Sequence, residues 1–354
     1  MFTEDVLRNA VEQGAADIFL IPGMPLSWKV GGKIIYQSDE KIFPKEIEEM
    51  VREIYVLANN RSMDHVMECG DDDFAMALPG VSRFRVNVFR QRGSLAAIIR
   101  VITFDLPDFH NLHIPQVVID ISRMTKGFVL VTGPAGSGKS TTLACIIDQI
   151  NKTRNAHVIT LEDPIEYLHR HNQSVVTQRE IGLDTESYVT GLRAALRQAP
   201  DVILVGEMRD EETIKTALTA AETGHLVIST LHTIGAANTI DRIIDSFPPA
   251  QQEQVRAQLS MVMQAVVSQQ LIPKVEGGVA PAFEVMFFNN AIRNLIRESK
   301  IHQIDNIIAT SQEEGMITMD NSIIKLFREG KISKENAIIY SSNGELMEKK
   351  LARL

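Results

Sequence analysis

The chain has 354 residues, of which 44% are hydrophobic and 23% charged; this is enough for two domains with proper cores, and the composition excludes extensive disorder. Its formal net charge of −9 excludes whole-molecule attraction to nucleic acid or anionic lipid, so no nucleic-acid partner is expected. No apolar run reaches the roughly 18 residues of a membrane span, Cys69 and Cys145 form no CxxC pair, and the opening "MFTEDVLRNAVEQGAADIFL" carries acids where a secretory signal carries basic residues, which points to the cytoplasm.

In "TEDVLRNAVEQG", Thr3 is expected to N-cap a helix that Gly14 stops. "ADIFLI" and "SWKVGGKIIYQ" read as strands, with a hairpin turn at Gly31-Gly32. "PKEIEEMVREIYV" is an amphipathic helix. "SRFRVNVFRQRGSLAAIIRVI" alternates residue by residue and reads as two strands about Arg92-Gly93. There Arg83 and Arg85 share a face at period two, with Arg90 and Arg100 nearby. Two prolines and weak periodicity place a linker in "TFDLPDFHNLHIP". The expected division is an N-terminal domain over 1–104, a linker over 105–120 and a second domain over 121–354. From about Gln116, strand and helix alternate, which predicts a mostly parallel sheet. Beyond about residue 249 the chain reads as largely helical, apart from a strand at "PAFEVMFF".

The most informative segment is "GFVLVTGPAGSGKSTTLACIIDQI". An apolar strand runs into Gly133, Pro134, Ala135, Gly136, Ser137, Gly138, Lys139 and Ser140, with Thr141 opening an apolar helix. This is G-x-x-x-x-G-K-[ST] in its strand–loop–helix context. Backbone N–H groups and the helix N-terminus supply positive potential for phosphates. Lys139 is expected at the β- and γ-phosphates, and the Ser140 hydroxyl at magnesium. A nucleoside triphosphate and Mg²⁺ are the ligands this motif implies.

"HVITLEDPIEYLH" ends an apolar strand in Glu162 and Asp163, with Glu166 close behind. Ligands of open α/β sheets sit beyond such strand ends, so the two acids either hold magnesium through water or form a solvated Asp-Pro turn. In "PDVILVGEMRDEET" the strand stops at Gly206 and Glu207. Gly206 leaves room for a close approach, and Glu207 is the first side chain able to face the γ-phosphate as general base. Asp201 lies at the wrong end of that strand, while Asp210 is placed to cap the next helix. His225 precedes the strand in "GHLVISTLHT" and His232 follows it; His232 is either a structural strand-end residue or a γ-phosphate sensor, along with Thr233. The arginines at 83–100 are either a charged solvent face or a source of arginine fingers acting in trans. "NAIRNLIRE" carries Ile292, Leu295 and Ile296 as an apolar stripe, with Arg293 and Arg297 one turn apart on another face.

In their order, "GPAGSGKSTTLA", "ITLEDPIEY", "VILVGEMRDEETIKTALTAAETGH" and "STLHT" resemble the Walker A, Asp box, Walker B and His box of secretion ATPases of the type II and type IV pilus class. The resemblance spans about residues 120–273 closely and the rest more loosely. It implies an α/β chain with a PAS-like N-terminal domain, a RecA-like P-loop ATPase domain and a helical C-terminal region. It also implies that the nucleotide is ATP, and a homohexamer with ATP between domains and subunits, docked on an inner-membrane pilus platform protein at the cytoplasmic face of that membrane. By the same resemblance Glu207 is the catalytic glutamate, Glu162 and Asp163 belong to the metal and water site, and His225 and His232 are the His-box residues. Arg83, Arg85 and Arg100 are carried as nucleotide-contacting candidates. Lys126 stands where some relatives have arginine. The missing zinc module and the "AIRNLIRE" segment narrow the resemblance to pilus retraction rather than pilus assembly or type II secretion. A switch GTPase would carry N-K-x-D, which "NKTR" at Asn151 does not supply.

Overall fold

The computed structural model describes residues 3–102 and 106–353; the expected domain edge at 104–105 lies outside the described residues. The chain separates into two units, one built from the chain up to Ile102 with Pro164–Leu168, the other from Leu106–Asp163 and the chain from His169 onward. In the first, α1 (Thr3–Glu12) precedes β1 (Asp17–Leu20), β2 (Pro25–Val30) and β3 (Lys33–Lys41). Then come α2 (Pro44–Leu57), α3 (Asp64–Cys69), β4 (Asp71–Leu78), β5 (Ser82–Gln91) and β6 (Ser94–Ile102). The strands form an antiparallel sheet in the order β3-β2-β1-β6-β5-β4. Alternation fixes the covered face: Phe84, Val86 and Val88 of β5 are buried with Ile18, Trp28 and Ile99, and Leu7, Ile47 and Ile54 of the helices close the same core. The hairpin at Gly31-Gly32 forms as expected, with φ of 57° and 81°. Thr3 differs from expectation: it lies in α1, and its hydroxyl donates to the Met50 carbonyl at 3.5 Å instead of capping. Two elements, α3 and β4, were not expected from the sequence; in β4 Asp71, Asp72 and Asp73 mask the apolar alternation.

The second unit opens with α4 (Gln116–Ile119), β7 (Gly127–Thr132), α5 (Lys139–Thr153), β8 (His157–Glu162), β9 (Val175–Glu180) and α6 (Tyr188–Ala195). It continues through β10 (Val202–Val205), α7 (Glu211–Glu222), β11 (Leu226–Leu231), α8 (Ala236–Asp245) and α9 (Pro249–Val262). The hairpin β12 (Met263–Pro273) and β13 (Val279–Phe287) is followed by α10 (Asn290–Arg297), α11 (Ile304–Thr310), α12 (Met319–Arg328), α13 (Lys334–Ile339) and α14 (Gly344–Leu351). The sheet order is β13-β12-β7-β11-β10-β8-β9, parallel throughout except for β13 against β12.

Both faces of this sheet are covered, which explains why its strands are continuous apolar runs. Phe128, Leu130, Ile203 and Val227 pack toward α7, α8, α9 and α10, while Val129, Val131, Leu204 and Ile228 pack toward α5. A smaller core joins Ile272 and Ala282 to α12, α13 and α14 through Ile323, Ala337 and Met347. The expected helical run after residue 249 is corrected at β12. Its Met, Ala and Gln residues favour helix, but pairing with β7 on one side and β13 on the other outweighs that preference. Among the described residues, no helix is long and apolar enough to cross a membrane.

In the first unit the buried Asp72 organises a polar joint. Its carboxylate accepts hydrogen bonds from Tyr55 Oη at 2.9 Å and from Arg61 Nε and Nη2 at 3.0 and 2.9 Å. The guanidinium also lies over the Phe74 ring, 4.9 Å from its centroid. Burial raises the Asp72 pKa, but the bonds from Arg61 and Tyr55 outweigh it and hold the carboxyl below its ordinary value. A depressed folded pKa contributes stability above the unfolded value, about 3.9, and that contribution is lost as pH falls through the folded pKa. Asp72→Ala is expected to lower unfolding free energy by about 2–4 kcal/mol at pH 7 and to blunt the acid-dependent part of the loss below about pH 4, as read by denaturant melts across pH.

Candidate active site

Four parallel strands release the chain at one edge of the second sheet. Thr132 of β7 is in register with Leu231 of β11, Val205 of β10 with Ser229 of β11, and Val205 with Leu161 of β8. The exits therefore bring Gly133, His232, Gly206-Glu207 and Glu162-Asp163 to one edge of the sheet.

The loop after β7 is shaped by its neighbour β12. A Cβ on Gly133, at φ 143°, would stand 2.2 Å from the Gln269 carbonyl oxygen and 2.7 Å from Ser137 Oγ. Gly138, at φ 86°, passes the chain into α5. Lys139 is buried, and its ammonium donates to the carbonyls of Gly133 at 2.9 Å and Pro134 at 3.0 Å. Ser137 Oγ is buried with no hydrogen-bond partner among the described residues, a polar atom inside the loop still able to take one. Thr142, one turn into α5, donates to Gln269 Oε1 at 2.7 Å. Beside the loop lies a cavity of about 200 Å³ lined by Ile114, Gly138, Thr141, Thr142, Leu271 and Pro281.

Glu207 is mostly buried, with 13% of its side chain exposed, and is held at both oxygens. Arg209 Nη2 pairs with Oε1 at 2.6 Å, and His232 Nε2 stands 3.5 Å from Oε2. Its backbone is fixed from both sides, since Gly206 N donates to the Leu161 carbonyl at 2.8 Å and Thr230 Oγ1 donates to the Gly206 carbonyl at 2.6 Å. Glu162 Oε1 accepts from Thr160 Oγ1 at 2.6 Å and Gln178 Nε2 at 3.1 Å. Asp163 is exposed beside it. Asp210 caps α7, accepting from Thr213 N at 2.8 Å, and Asp201 accepts from His157 N at 2.7 Å at the far end of the strands. Thr233 is engaged with Thr239, hydroxyl to hydroxyl, at 2.7 Å.

Other expected residues stand elsewhere. His225 sits at the opposite end of β11, where its carbonyl accepts from Gly127 N at 3.0 Å and its ring contacts the Ala220 carbonyl and Thr223 at the end of α7. Within this chain it is therefore away from the phosphate loop, because a residue before a parallel strand emerges at the edge opposite the one that follows it. In the first unit Arg85 pairs with Asp73 at 2.6 Å and Arg100 with Asp17 at 2.9 Å; Arg83 lies on the same strand as Arg85. Arg293 is half-buried: it donates to the Ser260 and Met261 carbonyls at 2.6 and 3.1 Å, closing the end of α9, and lies over Phe288. Arg297 remains exposed and bonds Asn294. Two residues that shape the site, Arg209 and Gln269, carry no signal in the sequence. Arg209 is two residues beyond Glu207, a spacing that carries no signal by itself, and Gln269 lies in the strand read as helix.

Residues 1–306 match the family model "Type II/IV secretion system protein". The chain belongs to this family. It is 44% identical over 316 residues to the type IV pilus retraction ATPase PilT of Pseudomonas aeruginosa, covering 89% of this chain and 91% of that one. It is 42% identical over 319 residues to the uncharacterised protein YggR of Escherichia coli, covering 90% and 96%. The structure of the pilus retraction motor PilT with bound ADP superposes with a TM-score of 0.88 at 44% identity, over 100% of both chains. The two-part α/β architecture expected from the sequence is thus that of the secretion family.

In this member of the secretion family the phosphate loop leaves no room for a side chain at Gly133. Gly133→Ala would drive a methyl into the Gln269 backbone, where no flexible side chain can yield. It is expected to weaken binding of a fluorescent ATP analogue at least tenfold and to lower the melting temperature, as measured by titration and thermal scan.

Proposed function

We propose that this chain is the ATP-hydrolysing motor of a type IV pilus and that it drives pilus retraction. The observation that carries the hydrolytic part is the meeting, at one sheet edge, of the Lys139 loop with a mostly buried glutamate held by Arg209 and His232. The similarity to PilT across nearly the whole chain supports retraction over other roles in the family. In this reading the phosphates lie in the loop from Gly133 to Ser140, reached by its N–H groups and by Lys139. The base and ribose occupy the adjoining cavity between Ile114, Leu271 and Pro281. Glu207 accepts the proton of the attacking water, and His232 stands where it meets the γ-phosphate once product charge develops.

Magnesium fits the residues present. Ser140, Glu162 and Asp163 offer only hard oxygen donors, which suit this ion when phosphate oxygens complete its shell. Bound there, it would neutralise charge on the β- and γ-phosphates. Glu162 is oriented by Thr160 and Gln178, so Asp163 is the freer of the two carboxylates to hold a metal-bound water.

The wider reading is a homohexameric ring working on a platform protein at the cytoplasmic face of the inner membrane, without nucleic acid. Arg83, Arg85 and Arg100 would serve a neighbouring subunit's nucleotide only after leaving Asp73 or Asp17 in the case of the last two. The net charge of −9 supports the exclusion of nucleic acid.

Glu207→Gln is expected to cut steady-state turnover by about 10²–10⁴-fold while ATP-analogue affinity stays within twofold; full turnover in that variant would sink the general-base role. Arg297→Ala is expected to leave hydrolysis and melting unchanged but stop retraction, scored by twitching. Arg293 is the poorer probe, because it also closes α9. Deleting the gene in its host should give more surface pili and no twitching. Bald cells would instead favour an assembly role.

A further inference from the structure

One polar side chain at the strand exits, Tyr188, has no part in the site as described so far. Tyr188 opens α6, its position set by Ser187, whose hydroxyl accepts from Thr190 N at 3.2 Å. The ring packs against the core that includes Leu161, Leu192 and Val205. Its hydroxyl reaches Gly206, where a Cβ would stand 3.0 Å from Tyr188 Oη, 3.1 Å from the Leu161 carbonyl oxygen and 3.4 Å from Glu162 Cα. The phenol therefore ends in the narrow gap between the exits of β8 and β10. The space beside Gly206, expected from sequence to admit water, is occupied on its Cβ side by this hydroxyl.

The charged groups around the hydroxyl are Glu207 at the β10 exit, Asp163 and Glu162 at the β8 exit, and Arg209 in opposition. Burial first, then these carboxylates, push the phenol's pKa upward, so it stays a neutral O–H donor. Tyr188 Oη has no hydrogen-bond partner among the described residues. A phenylalanine would fill the same cleft without bringing a hydroxyl to it. A neutral donor beside three carboxylates gains energy by giving its proton to one of them or to a water they hold.

We propose that Tyr188 is a water-orienting residue, its hydroxyl donating to the water that Glu207 activates, so that the water is fixed from the Gly206 side while Arg209 and His232 fix the base. The assignment rests on the reading of the chain as an ATP hydrolase. The structural alternative is that the ring alone matters, as packing beneath the strand ends.

Purified full-length Tyr188→Phe separates the two, because it keeps the ring and removes only the hydroxyl. The expected result is a fall in kcat of about tenfold, the scale of one lost hydrogen bond to a charged or reacting group. KM, affinity for a non-hydrolysable ATP analogue and melting temperature should stay near wild-type values. Turnover at the wild-type rate would overturn the proposal, as would a loss of analogue affinity that matches the loss of kcat. The wild-type chain in the same assay tests the underlying reading. If wild type hydrolyses ATP and Tyr188→Phe equals it, only the tyrosine's role fails; if wild type does not, both fall together.

Discussion

The chemistry of this chain depends on the backbone register of four parallel strands. The pairing of β7, β11, β10 and β8 brings a phosphate loop, a histidine, a glutamate and an acidic pair to the same edge, although they come from segments spread between Gly133 and His232. A slip of one residue between β10 and β11 would turn Glu207 to the other face, since side chains alternate along a strand. The apolar runs that cover both faces thus do more than build a core. They set the registry on which every polar distance at the edge rests.

That edge gathers carboxylates at a cost. Glu162, Asp163 and Glu207 repel one another, and each is met by a specific countermeasure. Glu207 has Arg209 and His232, Glu162 has the Thr160 hydroxyl and the Gln178 amide, and Asp163 keeps its access to solvent. Arg209 is itself largely exposed, so its pairing with the mostly buried Glu207 adds little to stability, but it orients the carboxylate. Glu284, on β13, shows the contrast. It is buried, burial raises its pKa, and it accepts from Ala236 N and Met319 N, where it serves two helix N-termini and no reaction.

Much of this was legible in the residues, and the exceptions have physical causes. The strand, loop and helix around Lys139 could be read because local pattern and tertiary role coincide there: an apolar run, then glycines the backbone needs, then helix formers. Glu207 and Asp210 were separable because a helix cap has its own spacing. His225 and His232 share a motif by resemblance, yet the strand between them puts the two at opposite edges of the sheet within this chain. β12 was hidden because its Met, Ala and Gln residues speak for helix and only its neighbours make it a strand. Arg209 follows Glu207 by two residues, a spacing without a signal of its own, and Tyr188 comes to the β10 exit from another segment, a meeting that no spacing along the chain encodes. Arg293 looked like a surface charge until the carbonyls at the end of α9 appeared beneath it.

One consequence follows from the contact between Gly133 and β12. The Gln269 carbonyl lies against the turn of the phosphate loop, its side chain accepts from Thr142 on α5, and the next residue, Gln270, donates to the Tyr340 carbonyl in the C-terminal helices. The strand thus meets the phosphate loop and the C-terminal helical region through two adjacent residues, Gln269 and Gln270. The shape of the phosphate loop and the seating of the C-terminal helical region are therefore written into neighbouring residues of one strand, so the two cannot be altered independently there.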